Sequence, residues 1–150
     1  MALIQNTTYP VGMLGTYKYV VILSRYEGKI LLSRHKARTT WETQGGHIEA
    51  GETPIEAARR ELFEESGARA YTMVPLFDYR SEDKDTGNGA NGVVFAADIR
   101  ALGDMPESEM AEVRTFDALA QNVTYPALTP DLFARLEQMG GFDAVFGGQA

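Results

Sequence analysis

Three glutamates, Glu61, Glu64 and Glu65, carry the strongest chemical signal in this chain of 150 residues. On an α-helix, residues three and four positions apart share one face, so the three carboxylates fall within an arc of roughly 100°. This arc borders the apolar stripe of the same helix instead of opposing it. Because like charges at these spacings repel by about a few tenths of a kcal/mol per pair, a positive group is expected to offset the repulsion.

Two kinds of positive partner are open to these glutamates. Arg60 lies four residues after Glu56 and four before Glu64, where it can pair with either. A divalent cation is the other partner, because carboxylate oxygens without histidine or cysteine suit Mg²⁺ or Mn²⁺ better than zinc. An acidic face exposed to water, with no bound ion, remains the structural alternative.

The residues around the glutamates decide between these alternatives, because their spacing resembles the Nudix box. That box is the signature of hydrolases that act on nucleoside-diphosphate-linked compounds. Gly46 is followed after five residues by Glu52, and after seven more by Arg60-Glu61-Leu62-Phe63-Glu64-Glu65-Ser66-Gly67-Ala68. The chain departs from the family at Gln44, where proline is usual, and at Ala68, where a larger aliphatic residue is usual. Neither departure changes a carboxylate.

The resemblance implies a magnesium site with Mn²⁺ as a substitute. The matching positions that would hold two or more ions are the carbonyl of Gly46 and the side chains of Glu52, Glu61, Glu64 and Glu65. Bound cations neutralise a phosphoanhydride, polarise its phosphorus and lower the pKa of the attacking water. Arg60 is then expected to orient the carboxylates within the helix instead of contacting the substrate.

Four residues outside the box are further candidates. The family places a phosphate-contacting arginine near Arg34, and Arg38 is a second candidate, although both residues could be ordinary surface bases. Trp41 either packs in the core or stacks on the base of a nucleotide. Glu112 precedes a predicted strand, as acids often do in Nudix enzymes, and is a candidate metal contact, general base or base-reading group. An acidic loop in water is the alternative for Glu112.

These residues predict a Mg²⁺-dependent hydrolase of the MutT-like type. We expect it to cleave a nucleoside triphosphate, or a related nucleoside diphosphate derivative, by attack of water on phosphorus. By analogy with small members of the family, 8-oxo-dGTP is one expected substrate. The alternative from another class is a nucleotide-sensing or regulatory module that keeps the fold without turnover, and the intact box argues against it.

Local signals predict one mixed α/β domain over residues 1–150, and the resemblance implies a Nudix-type α/β/α sandwich with a mixed sheet and the box helix on one face. A helix should begin at Thr53-Pro54 and end near Gly67, and a second of about ten residues should begin at Thr129. The predicted strands are residues 17–23, 29–33, 71–79, 92–99 and 113–116. Glycines and asparagines in residues 81–91 predict a mobile loop. The glycine-rich residues 142–150 predict a frayed tail, although Phe142, Val145 and Phe146 could dock.

Composition narrows the expected partners. The chain has a net charge of −7 and no cysteine, which excludes disulfides and thiolate metal sites. So acidic a chain favours a small nucleotide substrate over a nucleic acid polymer. No apolar run is long enough to span a membrane and the first residues lack a signal-peptide pattern, so we expect a cytoplasmic protein without a membrane partner. Since many relatives are dimers, a homodimer is an open alternative to a monomer.

Overall fold

A mixed seven-stranded sheet forms the centre of the computed structural model, which describes residues 3–148. Its strands are β1 (Ile4–Tyr9), β2 (Tyr19–Tyr26), β3 (Lys29–His35), β4 (Gln44–His47), β5 (Ala68–Asp83), β6 (Gly89–Leu102) and β7 (Met110–Phe116). The order is β1-β5-β6-β2-β3-β7, with β4 paired to β2 beside this path. The β2–β6 pair is parallel and the other pairs are antiparallel.

Helices cover both faces of the sheet. Helix α1 (Pro54–Ser66) buries Leu62 against Val20 and Ile22 on one face. Helices α2 (Thr129–Gln138) and α3 (Gly141–Phe146) cover the other face, where Leu132 packs with Val21. The alternation along β2 sends successive side chains to opposite cores, which confirms the predicted α/β/α sandwich. Within residues 3–148, no helix combines the length and the apolar character needed to cross a membrane.

Helix α1 has the ends that its sequence predicts. Thr53 forms a capping box with Glu56, in which each side chain bonds the other residue's backbone N–H. At the other end, Gly67 adopts a left-handed conformation with φ of 77° and donates its N–H to the carbonyl of Phe63. The turn at Gly67 allows β5 to begin at the next residue. The helix that carries the glutamates is therefore fixed at both ends by local signals.

The sheet forks beside β2, and Gln44 fills the fork. Residues 19–22 of β2 pair with β4, whereas β3 pairs with β2 only near their connecting turn and then continues along β7. The fully buried amide of Gln44 accepts from Ser24 Oγ at 2.7 Å and donates to Ser33 Oγ at 2.9 Å. The same amide nitrogen lies 3.3 Å from the carbonyl of Leu31. A proline at this position would supply none of these side-chain bonds.

The sheet differs from the sequence prediction in the extent of one loop and in two strands that were not predicted. The predicted mobile loop over residues 81–91 is wrong in extent, because β5 and β6 continue their pairing to Glu82 and Gly89 and leave only a short turn. Strands β1 and β4 were not predicted, since each is short or polar and is ordered by pairing with a longer neighbour. The predicted strands over residues 71–79, 92–99 and 113–116 lie inside β5, β6 and β7.

The predicted frayed tail is wrong for residues 142–146, which belong to α3. Arg25 on β2 donates to Asp143 Oδ1 at 2.9 Å and to the carbonyl of Gly147 at 3.1 Å. Its guanidinium also lies 5.6 Å from the ring centroid of Phe146. These contacts attach α3 to the sheet despite the flanking glycines. Residues 149 and 150 lie outside the described residues.

Candidate active site

Glu65 lies in the last turn of α1 and reaches the open edge of β4. Its Oε1 accepts the backbone N–H of Gly45 at 2.8 Å, and its backbone carbonyl accepts Ser33 Oγ–H at 2.8 Å. Burial of the side chain raises the pKa of Glu65 to about 8, because desolvation outweighs the single hydrogen bond, and the charge of Glu61 raises it further. A carboxylate placed in this way would be stabilised by an added cation.

Glu61 lies one turn earlier, against the backbone of Gly46. Only 9% of Glu61 is exposed, and burial raises the pKa of its carboxyl group despite the nearby Arg60. A Cβ atom at Gly46 would lie 2.8 Å from Glu61 Oε1, so the carboxylate occupies space that any other residue would fill. Glycine is needed here for close approach of backbone and carboxylate. The arrangement places the buried Glu61 and the partly buried Glu65 along the same short strand.

Arg60 holds the remaining acids of the cluster together. It makes a bidentate pair with Glu52, at 2.7 and 2.9 Å, and donates to Glu61 Oε1 at 2.8 Å. Glu49 and Glu64 lie at 3.7 and 3.6 Å. The hydrogen bonds from Arg60 lower the pKa of Glu52 to about 2. Of the two predicted partners, Arg60 pairs with Glu64, whereas Glu56 caps the helix.

The residues present fit a divalent cation after a local rearrangement. Burial raises the pKa of Glu61, which is buried against the backbone of Gly46, and of Glu65, which is partly buried. Hard oxygen donors of this kind suit Mg²⁺ or Mn²⁺. Within residues 3–148, no three acidic or histidine side chains converge closely enough to hold an ion as they stand.

Arg34 and Glu112 face each other on neighbouring strands, away from the box glutamates. They are register partners in β3 and β7, and Arg34 Nε donates to Glu112 Oε1 at 2.9 Å. Ser33, the preceding residue, points towards α1, so the alternation of the strand turns Arg34 to the opposite face. Glu112, predicted as a catalytic residue, and Arg34, predicted to bind phosphate, are therefore paired with each other. The structure brings neither of them to Glu61 or Glu65.

Trp41 packs in the core, which favours the first of the two predicted alternatives. It is 6% exposed, and its ring meets Phe116 edge to face with centroids 5.2 Å apart. The guanidinium of Arg114 lies 4.9 Å from the centre of the indole. Since these neighbours cover the ring, the prediction that Trp41 contacts the substrate is wrong for this structure.

A groove of about 670 Å³ opens from the box glutamates across the other face of the sheet. Glu65, Gly45 and Gly46 lie at one end, and Tyr19 and Tyr79 line the sheet side. Arg38 borders the groove and pairs with Glu42 at 3.3 Å, which places one predicted phosphate-binding residue near Glu65. Arg34, Trp41 and Glu112 do not line it. Volumes of about 300–1,000 Å³ are usual for sites that bind small molecules.

Sequence reasoning missed the aromatic residues of the groove. The rings of Tyr19 and His47 lie 4.6 Å apart on β2 and β4, and Tyr79 lies further along the same face. Alternation along β2 could have placed Tyr19 on the face opposite Val20. The pairing of β2 with β4 and β6, which brings the three aromatic residues together, has no signal in the sequence.

Comparison with known protein families gives one match that covers most of the chain. A model described as the NUDIX domain matches residues 16–133. This range includes the helix with the three glutamates, the strands β2, β3 and β4 that form the fork, and most of the groove.

Two curated proteins resemble parts of the chain. It is 38% identical over 85 residues to "Putative 8-oxo-dGTP diphosphatase YtkD" of Bacillus subtilis (strain 168), covering 57% of this chain and 52% of that protein. It is also 38% identical over 54 residues to an RNA pyrophosphohydrolase of Francisella philomiragia, covering 36% of this chain and 34% of that protein. The chain thus matches about half or less of the length of these relatives.

Two solved structures share the fold. The crystal structure of a mutant of the Bacillus subtilis pyrophosphohydrolase BsRppH superposes with a TM-score of 0.76 at 26% identity, covering 91% of this chain and 89% of that one. A UDP-X diphosphatase superposes with a TM-score of 0.65 at 24% identity, covering 83% and 62%. The second likeness concerns the fold alone.

Proposed function

Because this chain belongs to the NUDIX family, we propose that it is a Mg²⁺-dependent pyrophosphohydrolase that cleaves nucleoside triphosphates, including oxidised purine nucleotides such as 8-oxo-dGTP. The observation that carries the proposal is the position of Glu61 and Glu65. Glu61 is buried against Gly46, and the partly buried Glu65 accepts the N–H of Gly45 and lines the end of the 670 Å³ groove. A nucleoside in the groove would extend its phosphates towards them.

Different residues of the chain would bind the cations and the substrate. Glu52, Glu61, Glu64 and Glu65, with the carbonyl of Gly46, would hold the divalent cations. When bound, these ions neutralise the phosphates and lower the pKa of the attacking water. Arg60 keeps Glu52 and Glu61 in place through its hydrogen bonds, and Arg38 at the groove is the candidate contact for a phosphate. Glu112 stays in its pair with Arg34 in this proposal.

The reaction is a substitution at phosphorus. Oxygen of water forms a bond to phosphorus, the phosphoanhydride bond breaks, and the products are a nucleoside monophosphate and pyrophosphate. A carboxylate of the box cluster accepts the proton that the water loses.

A second candidate substrate is the 5′-triphosphate end of RNA. The likeness to BsRppH extends over 91% of the chain, and one curated relative is named as an RNA pyrophosphohydrolase. An RNA end presents the same phosphoanhydride as a free nucleotide, so the same residues would act on it. The net charge of −7 opposes binding of a long polyanion, and for this reason we favour the free nucleotide.

The deciding experiment measures pyrophosphate release with and without Mg²⁺. The substrates are dGTP, 8-oxo-dGTP, the other nucleoside triphosphates and a short RNA with a 5′-triphosphate. The parent is compared with Glu61→Gln and with Glu137→Gln, a control at an exposed position of α2. We expect turnover by the parent and the control but not by Glu61→Gln. Absence of turnover of every substrate by the parent would overturn the enzymatic proposal. Preference for the RNA would identify its 5′-triphosphate end, and not the free nucleotide, as the substrate.

A further inference from the structure

The hydroxyl group of Tyr79 lies in the groove without a partner from the protein. Tyr79 is 2% exposed, lines the groove, and makes no side-chain hydrogen bond with any of residues 3–148. The one buried side-chain polar atom without a partner among residues 3–148 is Asn6 Oδ1, so the Tyr79 oxygen keeps an opening to the groove although the rest of its side chain is buried. An unpaired polar group that faces a cavity therefore points to a ligand that completes its hydrogen bonding.

Gly92 fixes the position of this hydroxyl. Tyr79 and Gly92 are register partners in β5 and β6, and a Cβ atom added at Gly92 would lie 2.6 Å from the Tyr79 oxygen. The ring of Tyr79 thus lies across the bare backbone of Gly92 and extends towards β2. Because a side chain at Gly92 would displace the ring, the hydroxyl has a defined place on the floor of the groove.

One row of residues across the sheet connects Tyr79 with the end of the groove near the glutamates. Going from β5 to β4, the row is Tyr79, Gly92, Tyr19 and His47, each paired with the next. Three inter-strand steps of about 4.8 Å give a span of about 14 Å. This length accommodates a nucleoside with its base at Tyr79 and its phosphates beyond β4, where Gly46 meets Glu61. Aromatic rings along such a row also suit stacking with a base.

Burial keeps the Tyr79 hydroxyl protonated. Desolvation is the main cause that raises its pKa far above the usual tyrosine range. A neutral hydroxyl can both donate and accept one hydrogen bond, and so can match either kind of group on the edge of a base.

We propose that Tyr79 is a specificity-determining residue whose hydroxyl hydrogen-bonds the polar edge of the nucleobase bound in the groove. This inference rests on the proposed nucleotide substrate but not on turnover. It assigns the base to the β5 end of the groove and the phosphates to the β4 end. An apolar or absent base leaves the hydroxyl unpaired, which lowers the affinity for such a ligand.

Equilibrium binding tests the inference without catalysis. Calorimetry would measure the dissociation constants of dGMP, 8-oxo-dGMP and inorganic pyrophosphate for the parent, for Tyr79→Phe and for Tyr71→Phe. Tyr71 is a matched control, because it lies on the same strand but packs in the core on the opposite face. We expect Tyr79→Phe to weaken nucleotide binding about tenfold and to leave pyrophosphate binding unchanged. Tyr71→Phe should change neither constant.

A second measurement uses the unaltered protein. With ¹³C at the Cζ position of tyrosine, the NMR signal assigned to Tyr79 should shift on addition of the monophosphate but not on addition of pyrophosphate. Equal nucleotide affinity in Tyr79→Phe, an equal loss of pyrophosphate affinity, or no nucleotide binding by the parent would overturn the inference. Binding that depends on Tyr79 in a protein without turnover would support the inference and contradict the proposed activity alone.

Discussion

Arg25 and Arg60 each pair with more than one carboxylate, and the two clusters differ in charge balance. Arg25 is 4% exposed at its side chain and pairs with Asp98 and Asp143, while the rings of Phe142 and Phe146 cover it. Arg60 is 23% exposed and is surrounded by four glutamates, Glu49, Glu52, Glu61 and Glu64. The first cluster joins a strand to a helix. The second contains more negative charge than one arginine can neutralise, next to a groove.

Whether the charged groups are satisfied by protein partners distinguishes a structural ion pair from a candidate binding site. The Arg25 cluster is satisfied by protein groups, including the carbonyl of Gly147, and a ligand would add little to it. In the Arg60 cluster, Glu61 and the neighbouring Glu65 keep a raised pKa, so their ionised forms are under-stabilised. A surplus of acid next to glycine backbone is the feature on which the proposed cation site rests.

The largest expected effect comes from Glu65→Gln. We expect kcat to fall by about 10²–10³-fold, because a metal ligand is lost, which corresponds to several kcal/mol. The free energy of unfolding without metal should not fall, since the amide oxygen of glutamine can still accept the N–H of Gly45. Steady-state kinetics and urea unfolding would measure both quantities. A stability loss as large as the activity loss would assign Glu65 to the structure alone.

Arg25→Met should give the opposite result. We expect the free energy of unfolding to fall by about 2–3 kcal/mol, somewhat less than for a fully buried pair because Asp143 is exposed. The kcat of the folded protein should stay unchanged. The same substitution at Arg60 provides the comparison. Mg²⁺ should raise the unfolding midpoint of Arg60→Met more than that of Arg25→Met. Equal restoration of both variants would contradict the distinction between the clusters.

Ser33→Ala tests the polar residues that hold Glu65 from behind. Ser33 Oγ donates to the carbonyl of Glu65 and accepts from Gln44 Nε2, so its removal leaves buried groups unpaired. We expect a loss of about 1–2 kcal/mol in the free energy of unfolding. Ser108→Ala, in the loop before β7, serves as the control and should lose less. Urea unfolding that finds Ser33→Ala as stable as the control would show that the fork does not depend on these bonds.

Local sequence signals predicted α1, α2 and the box glutamates because each depends on short spacing, whereas the sandwich was implied by the family resemblance. The capping box at Thr53, the turn at Gly67 and the helical stripe of the glutamates all act within a few residues. The register that separates Arg34 from the glutamates, and the row that joins Tyr79 to His47, depend on which strands become neighbours. That choice is made by packing across the whole sheet, so a single sequence contains little direct sign of it.

The smallest expected effect concerns the pH dependence of stability at Tyr79. Its pKa is raised above the unfolded value of 10.0 because the ionised form is poorly solvated in the fold. The native state therefore retains the proton at a pH where the unfolded state loses it, and the stabilising contribution is complete below pH 10 and decreases above it. Between pH about 9 and about 11, the parent should lose about 1 kcal/mol more unfolding free energy than Tyr79→Phe. Urea unfolding of both proteins would measure the difference, with Tyr71→Phe expected to follow the parent. Parallel curves for Tyr79→Phe and the parent would mean that water reaches the hydroxyl freely. The hydroxyl in the groove would then be as well satisfied as the Arg25 cluster, and the contrast between the two regions would be lost.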